Sequence, residues 1–562
     1  MKQSEKQSMR WALSLVCVAS LSLMACGGKT GEMPKTADGR VEDFANHLPA
    51  SAEALLVSGD LMKLKDAAAK VSTTVEAISP EWGAARKEIE TKNGITLTDS
   101  ASWAQTGINT AGGFAVAPVQ GRVVIMTYVE DRLKFDTFVT ERAKKVFSVT
   151  EAAKVEKLGD LEVKSMGKDD GEGISWAHNG KLVIISTSLM EKEGAFEKAT
   201  PKVIESIVKQ DSKASMGSTA EFKRFAKAYG ESYALTAFVN AKSMLASTAL
   251  KKQIDEAAAD PASKQSIEWL KQYAEMAGLG LAVNGDELTV NALFGPTAEY
   301  LTKVKGLGKD VPASPFAGFA NDSTMLGLRT AVNGPLAWEF YKTALPKEQV
   351  DQINKGLAEA GEGIGVNLEQ ELISNLSGNF GVFFYGIDIG ALMGGMNNPQ
   401  VAMQALSLAV VLEFKDAAKL QALVDKLLAK LPPGAITAKD VAGAKVYPIP
   451  GDAGTLFIKG GLVAFGTKPM TEEAMTSYID GKTTGKKLAE TAQPLGKTFG
   501  DAKPFNGLYL NVSKIVAVVG PLMGGSPIVE GLKKLNEASL SYDATDAGLT
   551  MDLRIVTTPP AK

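Results

Sequence analysis

The feature that most constrains the fold of this chain is an order of segments that occurs twice. Each copy has a strand leading into a long helical pattern, then a Gly-Ile turn, two strands, an amphipathic helix, a hairpin, and further strands around another helix. The sequence therefore predicts a tandem pair of related units. The matched segments are residues 54–61 with 325–330, 93–100 with 362–369, 111–117 with 377–383, 123–129 with 407–414, 179–185 with 459–465, 234–240 with 507–512, and 288–293 with 549–555.

The arrangement of strands and helices within each copy favours the α+β class. Neighbouring strands are joined by hairpins such as Asn179-Gly180, whereas helices come at fixed points between them. We expect each unit to be a mainly antiparallel sheet with packed helices. Because strands such as 288–292 alternate apolar and polar residues, we expect helices on one sheet face and solvent or a shallow groove on the other.

The length of the chain also requires more than one hydrophobic core. A chain of 562 residues exceeds what one ordinary core supports. The predicted boundaries are residues 50–300 for the first unit, 319–556 for the second, a linker over 301–318 with Pro312 and Pro315, and a tail over 557–562.

The first residues have the pattern of an export signal. Lys2, Lys6 and Arg10 give a positively charged start, and residues 11–25 are free of charge. That apolar run is shorter than the roughly 20 residues that a membrane-spanning helix needs. It ends in Leu23-Met24-Ala25-Cys26, which resembles the lipobox of bacterial lipoproteins.

That resemblance implies cleavage before Cys26, a diacylglycerol on its sulfur, and anchoring of the mature chain to a membrane through acyl chains. Residues 1–25 would be removed as the signal peptide. Gly27 takes the position of the aspartate that retains such proteins in the inner membrane of enteric bacteria, which favours the outer membrane. The polar residues from 26 to 49 predict a flexible spacer. The alternative is an ordinary secretory signal that leaves Cys26 as a free thiol.

The body of the chain has few residues suited to metal binding or nucleophilic catalysis. Cys17 and Cys26 are its only cysteines, and Cys17 lies in the predicted signal, so a disulfide in the mature chain is excluded. His47 and His178 lack the spacing of a zinc site or a catalytic triad, and we interpret both as surface residues. A net charge of −3 argues against nucleic-acid binding. We predict neither a metal nor a cofactor.

Two Gly- and Met-rich stretches of the second unit, 390–396 and 520–525, are the strongest candidates for contact with a partner. They lack the GxGxxG and GxxxxGK[ST] patterns of phosphate-binding loops. Flexible thioether side chains adapt to irregular apolar surfaces. The alternative interpretation is that these stretches cover the core of their own unit. The candidate contact residues are Leu392, Met393, Met396, Leu522 and Met523.

The body also resembles an uncharacterised family of secreted bacterial proteins, defined only as domains of unknown function. The similarity lies in the strand-to-helix openings and in Gly94-Ile95 and Gly363-Ile364. It implies no activity.

The sequence favours a membrane-anchored envelope lipoprotein that binds a hydrophobic ligand or an envelope partner without catalysis. Two alternatives stay open. One is an envelope hydrolase that uses a pair of its many carboxylates, and the other is a purely architectural spacer. A deep pocket of converging acids would favour the enzyme, whereas an apolar cavity or exposed apolar patch would favour the binding protein.

Overall fold

The structure, a computed structural model, describes residues 32–78, 80–167, 173–187, 201–230, 232–312, 315–344, 347–394, 404–432, 434–449, 454–467, 469–483, 485–501, 506–522, 524 and 526–557. Its strands pair in antiparallel fashion and are interspersed with helices, so the fold is α+β, as predicted. The chain divides into two compact units, residues 1–297 with 546–549, and residues 298–545 with 550–562. The predicted signal, Cys26, Met396, Met523 and the tail beyond residue 557 lie outside the described residues.

The first unit contains an antiparallel sheet in the order β4-β5-β6-β7-β3-β2-β1-β8-β9-β10. The turn between β6 and β7 uses Gly180 at a φ of 67°, a conformation that glycine adopts without strain. The strands are β1 (Ala54–Ser58), β2 (Phe114–Val119), β3 (Arg122–Tyr128), β4 (Lys154–Leu158), β5 (Leu161–Gly167), β6 (Gly173–Asn179), β7 (Leu182–Thr187), β8 (Leu235–Asn240), β9 (Ala274–Asn284) and β10 (Glu287–Pro296).

The described helices of the first unit lie before and between these strands. Asp131 caps the helix over 132–147 by accepting a hydrogen bond from the backbone N–H of Lys134. The helices are α1 (Ala37–Asn46), α2 (Leu61–Ile78), α3 (Pro80–Asn93), α4 (Ser100–Ala104), α5 (Arg132–Phe147), α6 (Pro201–Val208), α7 (Ala220–Tyr229), α8 (Ala241–Ala246), α9 (Thr248–Ala258) and α10 (Pro261–Tyr273).

The second unit repeats the strand order of the first. Its sheet follows the order β14-β15-β16-β17-β13-β12-β11-β18-β19-β20, so every strand holds the position of the strand ten numbers earlier. Common ancestry of the two units stays a prediction. The strands are β11 (Leu326–Ala331), β12 (Leu376–Ile387), β13 (Leu406–Phe414), β14 (Lys439–Val441), β15 (Ala444–Ile449), β16 (Gly454–Lys459), β17 (Leu462–Thr467), β18 (Asn506–Leu510), β19 (Leu535–Ala544) and β20 (Leu549–Thr557).

The helices of the second unit occupy comparable places along the chain. A π-helical turn, Leu368–Leu372, precedes β12, and a 3-10 turn, Gly520–Leu522, follows the helix after β18. The helices are α11 (Ala298–Gly306), α12 (Gly334–Ala344), α13 (Lys347–Ile364), α14 (Ile389–Gly394), α15 (Ala417–Leu428), α16 (Glu472–Ile479), α17 (Pro494–Asp501), α18 (Val512–Val519) and α19 (Pro527–Leu532).

In the first unit, helices cover both faces of the central strands. Every described residue of β3 and β7 is buried. Ala115 and Met126 pack in one cluster with Phe44 and Phe222. The apolar residues next to them along β2 and β3 point to the opposite face of the sheet and pack in a second cluster with Trp103 and Phe135. The prediction that one sheet face meets solvent was therefore wrong for these strands, because helices from different parts of the chain fill each side.

The prediction of a flexible spacer over residues 26–49 was wrong from residue 37 onward. Residues 37–46 form α1, which Thr36 caps by accepting a hydrogen bond from the backbone N–H of Gly39. Phe44 and Leu48 are buried in the core of the first unit. The Arg40 guanidinium is also buried and donates hydrogen bonds to the carbonyl oxygens of Gly59, Pro34 and Lys35. The first unit therefore begins before residue 50.

The predicted linker over residues 301–318 was also wrong at both ends. Its first residues belong to α11. At its other end Phe316 is buried and packs against Phe383 with ring centroids 5.9 Å apart. The described part of this segment therefore contributes a helix and a core side chain to the second unit.

Candidate ligand-binding face of the second unit

One face of the second sheet is apolar but incompletely covered. Directly paired residues of neighbouring strands lie on the same face of a sheet. Leu328 pairs with Val382, Val382 with Val410, and Val410 with Phe465, so all four share one face. All four are half-buried. We call the face that carries this row the apolar face of the second unit.

The equivalent row of the first unit is much better covered. Strand order and register match Leu328-Val382-Val410-Phe465 to Leu56-Val116-Ile125-Ile185. Val116, Ile125 and Ile185 are only 7%, 2% and 0% exposed, whereas Leu56 is half-buried. These residues pack in one cluster with Leu61, Trp103, Phe135 and Val139.

The difference between the units has a local cause in the helices above the sheet. In the first unit the short helix α4 places Trp103 in the core. The segment before β12 is instead a π-helical turn that contributes half-buried Leu372. A leucine fills less volume than a tryptophan, and the residues of the apolar face keep accessible surface.

The apolar residues of helix α13 are also only partly buried. Its apolar residues recur every three to seven positions, as in an amphipathic helix. Val350, Ile353, Leu357 and Ile364 are half-buried. The helix therefore leaves apolar surface accessible, and Gly361 is its one fully buried residue among those described.

A cleft of 610 Å³ lies between α18 and α19. Val516 and Val529 line it and pack in one cluster with Leu510 of β18. Leu510 pairs with Leu326, two residues from Leu328 on β11, so the cleft borders the apolar face. Glu530 and Lys533 at its margin form an ion pair of 2.6 Å. The volume lies within the range of about 300–1,000 Å³ that small-molecule sites occupy.

The structure places the described candidate contact residues on short helical segments. Met393 of α14 is 60% exposed and Leu522 of the 3-10 turn is 55% exposed, whereas Leu392 is half-buried. Gly520, Pro521 and Gly524 of the second Met/Gly stretch line the cleft. The exposure of Met393 and Leu522 favours contact with a partner over cover of their own core.

A buried polar cluster in the first unit escaped the sequence analysis. The carboxylate of Asp136 on α5 accepts hydrogen bonds from Lys164 Nζ at 2.7 Å and Trp176 Nε1 at 3.0 Å. His178 Nε2 lies 3.3 Å from the same carboxylate. The prediction that His178 is a surface residue was wrong, since its side chain is 3% exposed. Side chains alternate between the two faces of a strand, so Trp176 and His178 of β6 lie on the same side. This spacing could have predicted that the two side chains share one environment.

The ionisation of this cluster fits a structural role. Burial alone would raise the pKa of Asp136, but its contacts with His178, Lys164 and Trp176 outweigh burial and hold the pKa well below its usual range. Burial lowers the pKa of His178, an effect that Asp136 opposes and that Arg132 and Lys164 reinforce. Asp136 is therefore a carboxylate and His178 a neutral imidazole near pH 7, and together they hold α5 against β5 and β6.

The arrangement of the other acids bears on the hydrolase alternative. Fully buried Glu537 accepts hydrogen bonds from the backbone N–H groups of Leu495 and Gly496, at 2.7 and 3.0 Å, and so caps α17. Hydrogen bonds from Lys342 and Lys426 lower the pKa values of Glu369 and Glu371 respectively, whereas a general acid needs a raised pKa. Within the described residues, no group of three or more His, Cys, Asp or Glu side chains is placed to hold a metal ion.

None of the described helices combines the length and the apolar character that crossing a bilayer demands.

Fold and site together define an α+β chain whose second unit carries a partly open apolar face. Comparison with known proteins gives little more: no family model matches the chain, and no curated protein matches it. Among solved structures, crystal form I of a protein titled TP0453 is similar over 45% of this chain and 79% of its own, with 7% identity and a TM-score of 0.24. Crystal form III of the same protein is similar over 45% of this chain and 78% of its own, with 8% identity and a TM-score of 0.24. Similarity at this level assigns no function to the chain.

Proposed function

We propose that this chain is a non-catalytic bacterial envelope lipoprotein, anchored through acyl chains on Cys26, whose second unit binds a hydrophobic ligand. The observation that carries the binding function is the half-buried row Leu328-Val382-Val410-Phe465, because three of the four residues in the matched row of the first unit, Val116, Ile125 and Ile185, are buried. Placement in the outer membrane rests on Gly27.

Two further observations support an apolar ligand. The face presents aliphatic and aromatic side chains, and polar groups such as Glu530 and Lys533 lie at the margin of the adjoining cleft. Contact with an apolar molecule would remove this surface from water at a gain of about 25 cal/mol per Å². A polar substrate would find few hydrogen-bonding groups on the sheet itself.

Replacement of Cys26 by serine is expected to abolish acylation. Intact-mass analysis of the exported wild-type chain should show a mass increase from a diacylglycerol and an added acyl group, located on the peptide that begins at Cys26. The Cys26→Ser chain should lack that increase. A wild-type chain exported without acyl groups would contradict the anchor. The ligand-binding proposal is tested separately and would not be affected by that result.

Replacement of Ala517 by tryptophan is expected to reduce ligand binding at least tenfold, because Ala517 is exposed and lines the cleft. The new indole would fill space that an apolar ligand occupies. Native mass spectrometry of the body from residue 32 onward should detect co-purified lipid with wild type, and titration with a fluorescent fatty acid should give the change in Kd.

The matched control is Ala257→Trp. Ala257 is likewise exposed on a helix, α9, in the equivalent connection of the first unit. The control should bind as wild type does. A clean apo mass for wild type together with equal titration curves for all three proteins would refute the binding function.

A further inference from the structure

Both Met/Gly stretches emerge from the same edge of the second sheet. Strands β12 and β18 each pair antiparallel with β11, so they run in the same direction and end at the same edge. Leu326 at the start of β11 pairs with Phe384 on one side and with Leu510 on the other. With one strand between them, Phe384 and Leu510 lie about 10 Å apart, and β12 continues three residues further, to Ile387.

The connections that leave this edge are unusually poor in charge. Residues 388–405, between β12 and β13, contain one charged residue, Asp388. Residues 511–534, between β18 and β19, contain four, namely Lys514, Glu530, Lys533 and Lys534. In the first unit, the connection equivalent to 511–534 is 241–273, which carries nine charged residues in 33 positions against four in 24. The connection in the second unit is therefore the poorer in charge.

These connections also expose large apolar side chains to solvent. Met393 is 60% exposed, Leu522 is 55% exposed and Ile528 is 53% exposed. They lie on a short helix, a 3-10 turn and the start of α19 respectively. Such side chains on short, glycine-flanked segments would insert shallowly into an apolar phase, since none of these segments is long enough to span one.

We propose that this edge of the second unit inserts into the surface of a lipid bilayer, as a second membrane contact in addition to the anchor on Cys26. The inference rests on the proposed function, because the anchor keeps a bilayer within reach of the body at all times. Thr36, the capping residue of α1, lies ten positions after Cys26, a reach of about 35 Å at full extension.

The charges near the edge match a bilayer that contains anionic lipid. Residues 511–534 carry three lysines against one glutamate, a net charge of +2. Lys533 and Lys534 follow α19 directly, five and six residues after exposed Ile528. Lysines beside inserted apolar side chains are the combination that interfacial helices use on anionic membranes.

The test uses the full lipidated protein in vesicles of phosphatidylethanolamine and phosphatidylglycerol. Because the mature chain has only Cys26, which the anchor blocks, Met393→Cys, Leu522→Cys and Ile528→Cys each provide one thiol for an environment-sensitive fluorophore. The controls are Leu133→Cys and Val155→Cys in the first unit, whose side chains are 78% and 56% exposed. Intact mass first establishes acylation of Cys26 in every sample, so failure of the anchor is seen separately.

We expect quencher attached to the lipid acyl chains to reduce emission at positions 393, 522 and 528 at least twofold, and to leave positions 133 and 155 unchanged. Equal, water-like emission at all five positions would overturn the proposal. Emission shielded from an aqueous quencher but insensitive to the lipid quencher would also overturn it, since the edge would then be covered by protein. Ligand binding measured with Ala517→Trp is independent of either result.

Discussion

Replacement of Asp136 by alanine is expected to lower the free energy of unfolding of the first unit by about 2–4 kcal/mol. The substitution leaves the Lys164 ammonium and the Trp176 N–H without their carboxylate partner in a site where the Asp136 and Lys164 side chains are only 18% and 22% exposed. Removing one member of a buried ion pair costs more than the pair contributes, because the remaining charge stays desolvated. Urea denaturation followed by the fluorescence of buried Trp103 and Trp176 measures the change.

The matched control is Glu141→Ala on the same helix. Glu141 pairs with Lys144 at 3.2 Å, but the two side chains are 59% and 37% exposed. Solvent screens such a pair, so a loss of less than about 1 kcal/mol is expected. Equal losses for Asp136→Ala and Glu141→Ala would contradict the structural role of the cluster.

The same cluster predicts how stability depends on pH. Because the folded state lowers the pKa of His178 below its ordinary 6.5, the unfolded chain binds the proton more readily and stability falls as the pH drops below about 6.5. The pKa of Asp136 is also lowered in the folded state, so its contribution to stability is lost as the pH falls below the ordinary value of 3.8. His178→Gln is expected to flatten the profile between about pH 6.5 and 5 and to leave the loss below pH 4.

Local patterns in the sequence were sufficient to predict the elements but not the cover of the sheets. Hairpins such as Asn179-Gly180 and amphipathic helices such as α5 have short-range signals, and the structure contains them. Whether a sheet face is buried depends on helices distant in sequence. Val116 packs in one cluster with Trp103, whereas the segment before β12 contributes Leu372, and neither strand contains that information.

The role of the predicted contact residues stays a prediction, and only their exposure can be read from the structure. The composition of the two Met/Gly stretches indicated apolar contact residues, and described Met393 and Leu522 are exposed. The cleft between α18 and α19 and the half-buried row on β11, β12, β13 and β17 depend on pairing across the sheet. Among the described residues 32–49, Phe44, Ala45 and Leu48 are buried in the core and Met33 and Val41 are half-buried against it, and these few apolar positions gave no periodic pattern that predicted α1.

Replacement of Phe44 by alanine is expected to lower the free energy of unfolding of the first unit by about 3–5 kcal/mol. The Phe44 ring is fully buried and lies 5.0 Å from the ring of Tyr128, whose hydroxyl donates a hydrogen bond of 2.5 Å to Asp43. Loss of the ring leaves a cavity beneath α1 and weakens the packing of that helix on the sheet. Phe138→Ala removes a half-buried ring from α5 and is the matched control, with a smaller expected loss.

If Cys26 carries the proposed anchor, release of α1 would also increase the distance that the body can reach from the membrane. A fully extended chain from Cys26 to Thr36 spans at most about 35 Å, whereas one from Cys26 to Ala52 spans about 90 Å. In the lipidated Phe44→Ala protein, proteases should therefore cleave within residues 37–46 at conditions that leave wild type intact, and they should do so without unfolding the second unit. Resistance of α1 to cleavage despite the loss of stability would show that Arg40 and its hydrogen bonds to Gly59, Pro34 and Lys35 are sufficient to hold the helix.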